Sequence, residues 1–287
     1  MLAVLDRSPA ARHPRDACTM ALPDRWDRPV DEHDLHPSAD VTAAAWLRPR
    51  LRRFGSAVAA VVPDGFPAYV RILRPARGPE GRPVRWAEVA AWSGRSMHRR
   101  AQFHAIRRPF PAARTGPPPW DAEDPPDGNL PAELLRILCA TLAEHTSTPE
   151  ACWFCLWGGY GWLYGSSSVA TMGPRGPIPV PPAFPTEVLE GTRVQLPGRD
   201  YLLFAGPLAA AYQLGWTDPG GSFLPQSPNL FWPRDHAWCV ASEIDLFCTL
   251  VAGSDDLAEA LVSDPRLEAW RVLPADPIAF DSDPINT

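Results

Sequence analysis

Proline placement constrains this chain more than any other feature. There are 36 prolines among 287 residues, and residues 109–131 and 174–185 hold many of them. Proline fixes φ and has no backbone N–H to donate, so neither stretch can be a helix or a central strand. Both read as long, stiff surface connections. Regular structure must come from the windows around them.

Ser38 and Asp40 are placed to cap a short helix that runs to Leu47 and stops at Pro49. Ala57–Val62, the turn chemistry of Pro63-Asp64-Gly65 and the weak alternation of Ala68–Leu73 predict a hairpin. Pro83 and Gly94 bracket a helix over Val84–Trp92, with Trp86, Val89 and Ala90 on one face. The clearest helix is Pro131–Glu144. Its Leu134, Ile137, Leu138 and Leu142 follow helical spacing, Leu135 and Cys139 widen the stripe, and Asn129 is positioned as a cap.

The second half reads mainly as strands. Cys152–Trp157 is apolar throughout, as a strand buried on both faces would be, and Gly158-Gly159 offers a tight turn into Tyr160–Tyr164. Arg193–Leu196, Pro197-Gly198 and Tyr201–Phe204 predict another hairpin, followed by a short helix from Pro207 to Gly215. Trp238–Val251 exceeds the usual strand of about five or six residues, so a turn or bulge near Glu243-Ile244-Asp245 should split it. Ser254 caps a helix with Asp255 and Asp256 in its first turn and Leu257 and Leu261 inward. Pro265 opens a last helical turn carrying Leu267 and Trp270.

Strands and helices do not alternate regularly, and several strands are hairpin-connected. The expected fold is α+β, with a largely antiparallel or mixed sheet flanked by roughly four to six short helices. Residues 1–37 lack hydrophobic periodicity and read as a poorly ordered leader, in which Met20 is an alternative start. Residues 38–280 form the single domain and 281–287 a tail.

Composition narrows the partners. Hydrophobic residues make up 45% of the chain, enough for a substantial core, and the net charge of -6 gives no reason to expect nucleic acid. No apolar stretch approaches the roughly 18 residues of a membrane span, and the opening residues do not form a secretory signal. The expectation is a cytoplasmic protein without a membrane partner. Its six cysteines, at positions 18, 139, 152, 155, 239 and 248, then read as reduced buried thiols.

Four segments carry a likeness to other proteins: Arg82–Glu88, Cys152–Trp157 with Gly159-Tyr160-Gly161-Trp162, Gly198–Phe204 and Ser227–Ser254. From about Phe66 onward the chain resembles a family of uncharacterised proteins from high-GC bacteria. That resemblance implies a shared fold and no mechanism.

Chemistry-bearing motifs are sparse. Cys152 and Cys155 form a CxxC, but side chains three apart on a strand point to opposite faces, so the sulfurs should diverge. His33 and His36 lie in the acidic leader. His98 and His104 sit in an Arg-rich stretch that reads as a solvated face or a contact for an acidic partner or phosphate. Ser166-Ser167-Ser168 lacks a nucleophile elbow, and the glycines at 158, 159 and 161 lack dinucleotide-loop spacing. No cofactor and no metal site is expected.

Two groups remain as candidates. Glu243 and Asp245 are either ordinary turn residues or, on a continuous strand, paired carboxylates able to bind a cation or do acid–base chemistry. Tyr160, Trp162, Trp216 and Trp232 border Gly- or Pro-rich loops, where aromatics pin loops or pave a ligand groove, whereas Trp153 and Trp157 read as core. The favoured expectation is a non-catalytic binding protein, by analogy an immunity-like or regulatory module. Its surface would join Gly159–Trp162 to the Phe231-Trp232-Pro233-Arg234 loop, and its partner is a protein or small molecule. The alternative is an enzyme with Glu243 and Asp245 in an aromatic pocket.

Overall fold

A computed structural model describes residues 34–286, apart from residues 53, 54, 56, 111–115, 122, 168–170, 174 and 175. Cys18, Met20, His33 and Ser168 lie outside the described residues, as does most of the leader.

Nine described strands pair antiparallel in one sheet: β1 (His36–Pro37), β2 (Ala68–Leu73), β3 (Cys152–Trp157), β4 (Val194–Leu196), β5 (Arg199–Gly206), β6 (Leu230–Pro233), β7 (Cys239–Ala241), β8 (Cys248–Gly253) and β9 (Ala269–Val272). Across the sheet the order is β5, β3, β6, β7, β8, β2, β9, and β1 and β4 share the outer edge of β5. Among the described residues five α-helices accompany them: α1 (Trp86–Ser93), α2 (Phe103–Ile106), α3 (Ala132–Glu144), α4 (Thr186–Leu189) and α5 (Asp255–Ser263). The fold is α+β.

Period-two alternation sorts the apolar residues into two cores. Phe154, Leu156, Phe204, Phe231, Val240, Val251, Val70 and Ile72 face α3 and α5, which contribute Leu135, Leu138, Leu142, Leu257 and Leu261. Cys155, Leu203, Leu230, Trp232, Cys239 and Leu250 face the other way, against Ala44, Leu47, Val58 and Val62. The sheet is thus covered on both faces, and its central strands are apolar on both sides. A third cluster around Trp86, Phe103 and Trp120 closes the Leu73 end of β2.

Several expected elements form as read. The Val194–Leu196 hairpin turns at Pro197-Gly198, the long strand splits between β7 and β8, and Ser254 Oγ accepts from Leu257 N–H as the cap of α5. Gly94, at φ 72°, ends α1 in the left-handed region that an L-side chain would resist.

Others are corrected. Val58–Ala60 is a 3-10 turn, so β2 pairs with β8 and β9 rather than with 57–62. The Ser38–Leu47 helix shortens to a 3-10 turn over Val41–Ala44, capped by Asp40. Gly161–Tyr164 belongs to the 3-10 span Gly161–Ser167, and the chain after Gly158-Gly159 does not return as a strand. Asn129 does not cap α3; its side chain bridges Pro225 O and Ser227 N–H. The Pro207–Gly215 helix is a 3-10 turn over Leu208–Tyr212. Pro265 leads not to a helical turn but to edge strand β9. That strand delivers Glu268 to the start of α1, where its carboxylate accepts from Trp86 N–H at 2.7 Å and Ala87 N–H at 2.8 Å. His36–Pro37, inside the expected leader, pairs with β5 in the sheet.

Candidate functional site

The turn between β7 and β8 settles the two carboxylates. Glu243 and Asp245 sit in that turn, and both bind Arg199 at the start of β5. Arg199 Nε and Nη2 donate to Glu243 Oε1 at 3.2 and 3.0 Å, and Nη2 also donates to Asp245 Oδ2 at 2.6 Å. Glu243 is largely buried, whereas the Asp245 side chain is 72% exposed. The turn reading therefore holds and a strand-borne carboxylate pair does not form. Nothing in the motif Glu-Ile-Asp pointed to Arg199, which lies far back in the chain.

Arg199 also lies over Trp157, 5.8 Å from its ring centroid. Trp157 meets Tyr160 edge-on at 5.2 Å, and Tyr160 stacks on Trp162 at 5.8 Å. All three aromatics are half-buried at the end of β3. Chain geometry explains the gathering. Gly159 carries no Cβ, which would sit 2.2 Å from the Trp157 ring, so only glycine lets the backbone fold over the indole. Tyr160 is then held by its hydroxyl, which accepts from Asn229 Nδ2 at 3.0 Å and lies 3.4 Å from Gly128 O. Burial raises its pKa. Gly128 itself has φ 60°, and a Cβ there would approach Ile244 Cα to 2.9 Å.

A buried cation lies behind this end of the sheet. Arg74 is wholly enclosed and donates to Pro126 O, Leu246 O, Cys248 O and Thr249 Oγ1. Its contacts are carbonyls and a hydroxyl rather than a carboxylate, and burial depresses its pKa to about 10. By gripping both the 126–128 loop and the β7–β8 turn, it fixes the frame on which Tyr160, Glu243 and Asp245 stand.

Trp232 and Arg234 do not belong to this group. Leu230–Pro233 is central strand β6, not a loop, and Trp232 is 0% exposed. Pro228 and Pro233 at its ends disguised a short strand as a connection. Trp232 pairs with Trp153 at the opposite end of β3 from Trp157. There the exposed Arg234, with His36, Glu150 and the half-buried Trp153, lines a cleft of about 270 Å³. Small-molecule pockets span about 300–1,000 Å³, so this cleft is small. A second recess of about 180 Å³ lies between Pro37–Ala39 and the Glu187–Thr192 region.

Cys152 and Cys155 lie in different cores, as strand alternation requires, and Cys139, Cys152, Cys155, Cys239 and Cys248 are free. Among the described residues, no three His, Cys, Asp or Glu side chains converge as metal ligands. Nor is any helix among them long and apolar enough to cross a membrane. Compared with known proteins, the chain matches no family model, no curated protein and no solved structure.

Proposed function

We propose that the chain is a non-catalytic binding protein whose recognition surface is the Trp157–Tyr160–Trp162 group with Arg199, Glu243 and Asp245. The observation that carries this reading is the gathering of three half-buried aromatics and a charged triad at one sheet end. Tyr160 and Arg199 are held in place before any ligand arrives. Tyr160 is held by Asn229, and Arg199 by two carboxylates and the Trp157 face. Such preorganisation lowers the entropy lost on binding, and aromatic and arginine side chains supply most energetic anchors in interfaces.

Arg199 also counts against acid–base catalysis by the carboxylates. A general base must reach a substrate proton, and here both carboxylates already share one guanidinium. The partner is a protein segment or small molecule offering an apolar face beside hydrogen-bonding groups. The test is a titration of indole N–H NMR signals against a panel of peptides, sugars and nucleotides. Trp157 and Trp162 signals should respond to the ligand class that binds, and Arg199→Ala should remove the response. Perturbation centred on another face, unaffected by Arg199→Ala, refutes the assignment.

A further inference from the structure

The Arg-rich run from Arg95 to Arg108 takes no part in the aromatic site, and although Arg99 and Arg108 are exposed it is more than a solvated face. Its first half holds residues 276–286. Arg99 donates to both oxygens of Asp276, from Nε at 2.8 Å and Nη2 at 3.1 Å. The Asp283 carboxylate accepts from His98 Nε2 at 3.0 Å and from the backbone N–H groups of Gln102, Ile285 and Asn286. The Asn286 amide donates to it as well, at 2.9 Å. His98 Nδ1 accepts from Arg100 N–H, which leaves Nε2 as the protonated nitrogen facing Asp283. Asn286 reads the backbone of Ser96 in both directions, accepting at 3.0 Å and donating at 2.9 Å. Ser282 Oγ accepts from Gln102 Nε2, and Ser282 O accepts from Arg100 Nη2, both at 2.9 Å.

Two features separate this contact from core packing. The segment buries its polar side chains and exposes its large apolar ones: Asp283 and Asn286 are 4% and 3% exposed, Phe280 and Ile285 67% and 57%. Docking driven by hydrophobic burial does the reverse. In addition, Arg100 Nε is buried without a partner, while Nη2 meets only a carbonyl. An arginine fork matches a carboxylate through two parallel bonds, so the segment satisfies half of what this side chain offers.

We propose that residues 96–102 form a recognition site for an acidic segment of a partner protein, read through an Asp-x-x-Asn pattern, and that residues 279–286 occupy it in cis as a built-in competitor. The charges match. Residues 96–102 carry Arg99 and Arg100, whereas 279–286 carry Asp281 and Asp283 with no Arg or Lys. A partner that matches this segment and also brings an acceptor to Arg100 Nε satisfies the donor the cis segment leaves open. Ile278, 4% exposed in the second core, anchors the chain just before the segment, so displacement stops there and leaves the core intact.

The test uses the full chain and a fluorescent peptide with the sequence of residues 279–287. In the wild-type chain the cis segment competes at high effective concentration, and binding is weak. In the Asp283→Ala/Asn286→Ala chain the peptide should bind one to one and about tenfold tighter. A peptide with Ser282→Ala should bind several-fold more weakly, since Gln102 Nε2 loses its acceptor. A peptide with Asp283→Asn should not bind. Hydrogen exchange at the Gln102 amide reports whether the variant has vacated the site. The proposal is overturned if the vacated chain binds no peptide, if the Gln102 amide stays protected in the double variant, or if Ser282→Ala brings no loss. A wild-type dimer that the peptide dissolves also overturns it, because the occupant is then a second copy.

Discussion

Trp153 and Trp232 stand opposite one another across β3 and β6, on the same side of the sheet, yet only Trp232 is sealed from solvent. The difference comes from the layer above. Trp46 packs edge-on against Trp232 with ring centroids 6.0 Å apart. Trp153 instead borders the cleft with Arg234.

This ordering reverses what the loop-like context of Trp232 suggests. Trp232→Ala should cost about 3–5 kcal/mol, since it removes a fully buried aromatic and leaves a cavity. Trp153→Ala should cost less, about 1–2 kcal/mol. Urea denaturation of both variants measures the difference. Equal losses would show that β3 and β6 do not divide burial as described.

Arg199 bridges one sheltered and one exposed carboxylate, and the two should couple unequally. A double-mutant cycle for Arg199 and Glu243 should give about 1–2 kcal/mol, because both side chains are largely removed from water. The cycle for Arg199 and Asp245 should stay below about 0.5 kcal/mol despite its shorter contact, since Asp245 is 72% exposed and solvent screens the pair. A larger Asp245 coupling contradicts the assigned exposure.

The thiols should be inert in the folded state. Burial pushes Cys139 up to about 12 and raises Cys152, Cys155 and Cys239 as well, so thiolate is scarce at neutral pH. An aromatic disulfide reagent at pH 8 should label none of these four in native protein and all of them in denaturant. Rapid native labelling at any of them would refute the two-core packing.

Asp283 sets an acid limit on the docked 279–286 segment. Burial raises its pKa, but the Asn286 amide and the N–H groups of Asn286, Ile285 and Gln102 outweigh that and hold it at about 2. A carboxyl depressed in the folded state stabilises fully above its ordinary value of 3.8, and the contribution fades as pH falls through about 2. Protection of the Gln102 amide should therefore persist at pH 5 and weaken between about pH 4 and 2. In Asp283→Asn it should be low and pH-independent across that window. Unchanged protection in the variant would remove Asp283 from the contact.

What the sequence by itself determined were features set by neighbours in the chain. The stripe of α3, the Pro197-Gly198 turn, the split between β7 and β8, the Ser254 cap and the divergence of Cys152 from Cys155 follow from backbone stereochemistry and period. Tyr160 and Trp162 were legible as a pair for the same reason, since one glycine-rich turn carries both. Tertiary structure decided the remainder. Trp232 reads as a loop residue because its strand is four residues long between prolines, and only pairing with β3 and β7 makes it central. Arg199 meets Glu243 across a gap of 44 residues, and Asp283 meets His98 across 185, contacts that leave no local periodicity to read. Pairing energy between distant segments depends on which surfaces the whole chain brings together, and a buried charge finds its partners only once that packing exists.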